Sequence, residues 1–190
     1  MIICKYILTS VLGWKIKGDF PNLNKSVIIF APHTSYWDAF FGKLYLMNIG
    51  VKHRFLSKKE LFKFPFHLLM FAYGSIPVSS DRNFILQISE IYNSNKEIHI
   101  VLSPEGTRRK ATNWKKGFYH IAKRANVPII VGYIDYTKKE IGIKGVIDNI
   151  NDINDTMNKI GKMYKNVGAK YPADFILDKN TKELFFANAK

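Results

Sequence analysis

Two short stretches carry residue types and spacings that can do chemistry. The first is Pro32-His33-Thr34-Ser35-Tyr36-Trp37-Asp38. An apolar run before it reads as a strand ending at His33, and the helical pattern after it places Asp38 in a first turn. That geometry can return the carboxylate to one imidazole nitrogen, fixing the tautomer and stabilising the ring once a proton is taken. A histidine so held can draw a proton from an alcohol and turn a weak nucleophile into a competent one. The same residues also fit a capping box, with Ser35 at the N-cap and Asp38 at the third helical position, which would leave His33 an ordinary loop residue.

The second stretch, Ser103-Pro104-Glu105-Gly106-Thr107-Arg108, follows an apolar run ending at Leu102. Ser first, Pro second and Gly fourth fit a type I turn. The same turn can present Thr107 and Arg108 at the mouth of a sheet, where α/β proteins bind ligands. A guanidinium matches phosphate oxygens in a bidentate way that lysine cannot. Only five of the 29 basic residues are arginines, and three of those stand at 82, 108 and 109.

The elements that must position these residues are legible as alternating strands and helices. Val27–Ala31 is a β-branched run before Pro32 and reads as a buried strand, with a helix over Trp37–Met47 behind it. A short strand over Arg54–Ser57 precedes an apolar helix over Glu60–Tyr73, interruptible at Pro65. Ser75–Val78 is a strand, and Asn83–Asn93 an amphipathic helix. Glu97–Leu102 and Pro128–Asp135 are strong strands with a helix over Gly117–Ala125 between them, and Glu140–Ile147 alternates as another. Ile153, Met157, Ile160, Tyr164 and Val167 repeat at helical spacing. Such alternation implies crossover connections, hence an α/β fold with a mixed, largely parallel sheet flanked by helices.

The chain has 190 residues, 47% of them hydrophobic, enough for one domain over 1–190 with its own core. Within it, 1–18 reads as an interfacial helical segment and 171–190 as a C-terminal tail. One cysteine, Cys4, excludes a disulfide framework, and the five histidines show no metal-ligand spacing. His53, His67, His99 and His120 read as ordinary residues. The net charge of +14 suits a polyanionic surface or a phosphorylated substrate, although a lysine-rich compositional bias accounts for it equally well.

No apolar run reaches the roughly 20 residues needed to span a bilayer. The uncharged run Phe64–Ser80 is cut by Pro65, Gly74 and Pro77, and the run Tyr6–Trp14 is short, with Lys5, Lys15 and Lys17 as flanks suited to lying in an interface. No signal-peptide cleavage site follows it. The expectation is a cytoplasmic protein, peripheral on the inner membrane surface. Phe62, Phe64, Phe66, Leu68, Leu69, Met70 and Phe71 read first as core, with an interfacial helix or the wall of an apolar channel as the other options. Trp114, ahead of Lys115-Lys116-Gly117, is a candidate lipid-facing residue.

Together the two loops resemble the lysophospholipid (glycerolipid) acyltransferase family, whose signature is His followed five positions later by Asp, with a later Pro-Glu-Gly-Thr-Arg block. The resemblance extends to Lys58-Lys59-Glu60-Leu61, to Gly74-Ser75-Ile76-Pro77-Val78 and to Val127-Pro128-Ile129-Ile130, in the family's order, and covers Val27–Asp135. It implies that His33 is the general base on the free hydroxyl of a lysolipid and Asp38 its orienting partner. It further implies that Glu105, Gly106, Thr107 and Arg108 shape the acceptor pocket, with Arg108 on the phosphate and Lys58 as a further contact. The implied donor is acyl-coenzyme A or acyl carrier protein, with no cofactor or metal. The leading acceptor is 1-acyl-glycerol-3-phosphate, giving phosphatidate; another lysolipid, such as a lyso-aminolipid, is the alternative. The family places its second-block arginine closer behind Val78; here Ser79 and Ser80 intervene and the corresponding substrate-binding candidate is Arg82. Either a longer turn still brings Arg82 to the headgroup, or that phosphate contact is lost and the acceptor differs.

Three other classes compete. A nucleic-acid binder fits the charge but leaves the His/Asp pair unexplained, and no zinc-finger, Walker or RNA-recognition signature is present, so no nucleic-acid partner is expected. A serine hydrolase should carry Gly-x-Ser-x-Gly, which the chain lacks; the Ser103 turn comes nearest. A non-catalytic lipid binder keeps every sequence feature and differs only in turnover.

Overall fold

The computed structural model describes residues 2–78 and 84–178. Its centre is β2 (Lys25–Ala31), the β-branched run, in which every residue after Lys25 is buried. Side chains alternate across a strand, so Val27, Ile29 and Ala31 join one apolar cluster while Ile28 and Phe30 join another on the opposite face. A strand that is apolar on both faces must be covered on both.

The helices provide that cover. On the face of Ile28 lie α1 (Ile2–Tyr6), which continues as a π turn over Ile7–Val11, and α2 (Tyr36–Ile49), whose Phe41, Tyr45 and Leu46 fill the cluster. On the other face α4 (Phe84–Ser94), α5 (Gly117–Ala125) and α6 (Ile153–Tyr164) contribute Ile88, Phe118 and Ile160. Tyr164 is fully buried, and its hydroxyl donates to the Gly132 carbonyl at 2.6 Å.

The remaining strands are β1 (Lys15–Lys17), β3 (His53–Lys58), β4 (Ser75–Val78), β5 (Ile98–Leu102), β6 (Ile129–Asp135) and β7 (Glu140–Ile147). Among the described residues they form one sheet in the order β1-β7-β6-β2-β5-β3-β4. The five strands from β6 to β4 run parallel, β7 returns antiparallel to β6, and β1 runs along β7. This is the mixed, largely parallel sheet that strand–helix alternation implies.

Several expectations are corrected. The N-terminal segment is helical only to Val11; Gly13 takes a left-handed turn, Trp14 is buried, and Lys15–Lys17 is an edge strand on β7. The alternation of Lys15, Ile16 and Lys17 fits a strand edge with one side chain directed inward. The single helix expected over Glu60–Tyr73 is a 3₁₀ turn at Lys59–Phe62 followed by α3 (His67–Tyr73). Pro65 between them lacks the N–H a helix needs and disfavours helical backbone in the residue before it. Nor is this stretch core: Phe64, Phe66, Leu68, Leu69 and Phe71 are each more than half exposed. Trp114 is buried rather than lipid-facing, its indole N–H donating to the Ile176 carbonyl at 3.0 Å and its backbone N–H to Asp178 at 2.8 Å. The same bonds hold Ile176 and Asp178, within the stretch expected as a tail, against the domain.

Candidate active site

Because β2, β3, β4, β5 and β6 are parallel, the loops leaving them open on one edge of the sheet. His33 follows β2, Ser103–Arg108 follows β5, and Tyr136 follows β6. The two stretches with chemical promise therefore meet although they lie some 70 positions apart, as expected at the carboxyl edge of a parallel sheet.

His33 and Asp38 are a pair: Nδ1 stands 3.3 Å from Asp38 Oδ2, with the imidazole 23% exposed and the carboxylate 4%. The capping box is present as well. The backbone N–H groups of Thr34 and Ser35 both donate to Asp38 Oδ2 at 2.7 Å, and the Ser35 hydroxyl accepts from the Trp37 N–H at 3.2 Å. The two readings of the sequence are thus compatible, because capping is what fixes the carboxylate that faces the imidazole. Asp38 Oδ1 accepts a hydrogen bond from the Tyr136 hydroxyl. Burial, followed by this contact with Asp38, pushes the Tyr136 phenol well above its ordinary range, so the hydroxyl stays a donor. With Nδ1 turned to Asp38, Nε2 is the ring nitrogen left to meet a substrate.

Glu105 braces the pair from the other loop. Its Oε1 accepts the His33 backbone N–H at 3.1 Å and its Oε2 accepts the Ser103 hydroxyl at 2.8 Å. Burial pushes its carboxyl up to about 7, against these two hydrogen bonds, which hold it down. Glu105 therefore acts on the site through the His33 backbone. Gly106 has φ of 65°, and a Cβ there would come within 2.8 Å of Lys115 Cγ, so the turn needs glycine. Thr107 Oγ1 accepts the Arg109 N–H at 3.3 Å. The Arg108 guanidinium lies over the Tyr36 ring, 3.6 Å from its centroid. This stacking fixes the plane of the guanidinium and leaves its N–H edge for an anion.

Lys58 ends β3 and is exposed, two strands from β2 and so roughly 10 Å along the sheet from the pair. Arg82 lies outside the described residues. Among those residues, no group of three or more His, Cys, Asp or Glu side chains is placed to hold a metal ion. Two contacts of the site escape sequence reasoning. Tyr136 is 98 positions from Asp38, and only the end of the β6 pattern marks where it emerges. Thr34 stands in the first loop, and its hydroxyl accepts the backbone N–H of Tyr171, 137 positions away, at 3.2 Å.

Comparison with known proteins gives these features a context. Curated protein sequences provide no match. Among solved structures, the chain is similar to the crystal structure of PlsC, the 1-acyl-sn-glycerophosphate (LPA) acyltransferase of Thermotoga maritima. The TM-score is 0.56 at 15% identity, covering 98% of this chain and 82% of that one. At that identity the likeness shows the fold. The acyltransferase family model matches residues 15–134, which include the His33–Asp38 pair, its Glu105 brace and Arg108. Matched over more than half its length, the chain belongs to the acyltransferase family.

Proposed function

We propose that this protein moves a fatty acyl group from an acyl thioester to the free hydroxyl of a lysophospholipid, with 1-acyl-glycerol-3-phosphate as acceptor and phosphatidate as product. The observation that carries the reading is the His33–Asp38 pair, whose carboxylate is held by three further hydrogen bonds, from the Thr34 and Ser35 N–H groups and the Tyr136 hydroxyl. His33 Nε2 takes the acceptor's hydroxyl proton as the oxygen attacks the thioester carbonyl. The resulting tetrahedral oxyanion collapses, the C–S bond breaks, and the imidazolium returns its proton to the departing thiolate of coenzyme A or acyl carrier protein. Arg108, levelled on Tyr36, takes the acceptor's phosphate. The acceptor named for the Thermotoga maritima protein of like fold supports this choice.

The reading places the protein on the cytoplasmic surface of an anionic membrane. Supporting it, α1 and the π turn after it bury Cys4 and Leu8 but leave Ile2, Ile3 and Tyr6 exposed, and Phe64, Phe66, Leu68, Leu69 and Phe71 face outward beside Lys58, Lys59 and Lys63. Basic residues near such a surface add about 1 kcal/mol each. No helix among the described residues is long and apolar enough to cross a membrane.

The test is thiol release from palmitoyl-coenzyme A with lysophosphatidate in anionic liposomes, product identified by mass. Acceptor-dependent release that is lost in His33→Ala is expected; release without acceptor would make the protein a thioesterase instead. Arg108→Ala should raise the acceptor KM about tenfold, the scale of one lost charge-assisted hydrogen bond. An unchanged KM would remove Arg108 from the phosphate.

A further inference from the structure

The segment after α6 lies outside the residues matched by the family model, yet it crosses the mouth of the site. Two hydrogen bonds fix it there. The Tyr136 N–H donates to the Gly168 carbonyl at 2.8 Å, and the Tyr171 N–H donates to the Thr34 hydroxyl at 3.2 Å. Both partners belong to the group that holds Asp38. Ala169 is buried between these anchors, and a Cβ at Gly168 would fall 2.0 Å from Thr137 Oγ1, so the strap passes in close contact. Lys170 is the residue these bonds place at the rim. Its ammonium sits over the Trp37 ring, 5.4 Å from the centroid, and 5.8 Å from that of Tyr171.

The result is two cations on adjacent aromatic supports in the first turn of α2: Arg108 on Tyr36 and Lys170 on Trp37. Among the described residues the ion pairs are His33–Asp38, Lys138–Asp135 and Lys159–Asp155, so neither cation is neutralised by a carboxylate. Each cation therefore stands without a carboxylate partner on the first turn of the helix that carries Asp38, where a negatively charged group of a substrate would be favoured.

We infer that Lys170 is a second phosphate-binding residue, acting beside Arg108 on the phosphomonoester of the acceptor. The inference rests on the acyl-transfer reading for its substrate. Phosphate chemistry is also offered by coenzyme A; the assignment here is to the acceptor.

The test compares wild type with Lys170→Gln and Lys170→Arg, and with Lys96→Gln, an exposed lysine at the opposite edge of the sheet, as control. In acyl transfer, Lys170→Gln should raise the lysophosphatidate KM about tenfold with kcat and the palmitoyl-coenzyme A KM unchanged. Lys170→Arg should recover most of that loss. A rise confined to the coenzyme A KM, or no rise at all, would overturn the inference. A direct binding readout separates its failure from that of the acyl-transfer reading. Trp37 is half exposed beneath Lys170, so short-chain lysophosphatidate should change tryptophan fluorescence, with a Kd about tenfold weaker in Lys170→Gln. That difference without turnover would leave the phosphate site standing and the reaction wrong. Equal titration curves for wild type and variant would sink the phosphate site whether or not turnover is seen.

Discussion

Two histidines, one just beyond β2 and one within the neighbouring β5, show how position in one sheet separates chemistry from architecture. His33 follows the carboxyl end of β2; His99 lies near the amino end of β5, in register with Ser26 at the start of β2. By local geometry His99 looks the more reactive, since Ser26 Oγ is 2.7 Å from its Nδ1, the spacing of a nucleophile and its base. Yet Ser26 and His99 are wholly buried, the ring meets Phe20 edge-on, and Nε2 has no hydrogen-bond partner among the described residues. Burial holds the imidazole down to about 4, so it stays neutral through the physiological range. His33 has the reverse arrangement: partial exposure, a buried carboxylate on one nitrogen, and cations at the rim. The serine-hydrolase alternative therefore fails on structure as on motif. The close Ser–His pair is sealed, and the Ser103 hydroxyl is committed to Glu105.

The largest test of this contrast is a pair of substitutions. His33→Ala is expected to lower kcat/KM by roughly 100- to 10,000-fold, the usual loss with a general base, while leaving the denaturation midpoint near that of wild type. His99→Ala should do the opposite, lowering the urea midpoint and leaving kcat per folded molecule unchanged. If His99→Ala removed turnover at full stability, the assignment of roles would be reversed.

A smaller effect sharpens the account of Asp38. Tyr136→Phe removes only the hydroxyl that donates to Asp38 Oδ1. Tyr136 touches no reacting atom, so kcat should fall about 3- to 10-fold with the acceptor KM unchanged. A KM effect with constant kcat would mean that Tyr136 contacts the acceptor rather than positioning the carboxylate.

A last test reads stability against pH rather than turnover. The folded state disfavours protonated His99, so the unfolded chain binds the extra proton first. Its contribution is complete above the unfolded value near 6.5 and is lost as pH falls from there toward about 4. Urea midpoints should decline over that window in wild type and decline less in His99→Gln. Parallel curves for the two proteins would show that His99 is not the group responsible.

Local rules made much of this protein readable. The β-branched run at Val27–Ala31, Pro32 after it and the Ser35–Asp38 cap define a strand, a turn and a helix start within a few residues. Their spacing alone was enough to put Asp38 within reach of His33. Likewise the strand ending at Leu102 and the Ser-Pro-Glu-Gly sequence defined a turn whose glycine has the left-handed backbone it needs. The alternating pattern of strands and helices implied a parallel sheet, and a parallel sheet implies a common edge for both loops.

Pairings across long stretches of chain were decided by the tertiary structure. Tyr136 reaches Asp38, Glu105 reaches the His33 backbone and Lys170 reaches Trp37 because β6, β2 and β5 are adjacent and the strap after α6 is bonded to their loops. Sequence pattern gives the face a side chain occupies, but not which distant element covers that face, since strand order follows from crossover geometry and packing. The stretch around α3 shows the same limit. Its aromatic and leucine content demands removal from water, but among the described residues no packing covers it, and Phe64 is left 87% exposed. Hydrophobicity set the demand for a nonaqueous partner, and only the packed fold determined that its own core would not supply one.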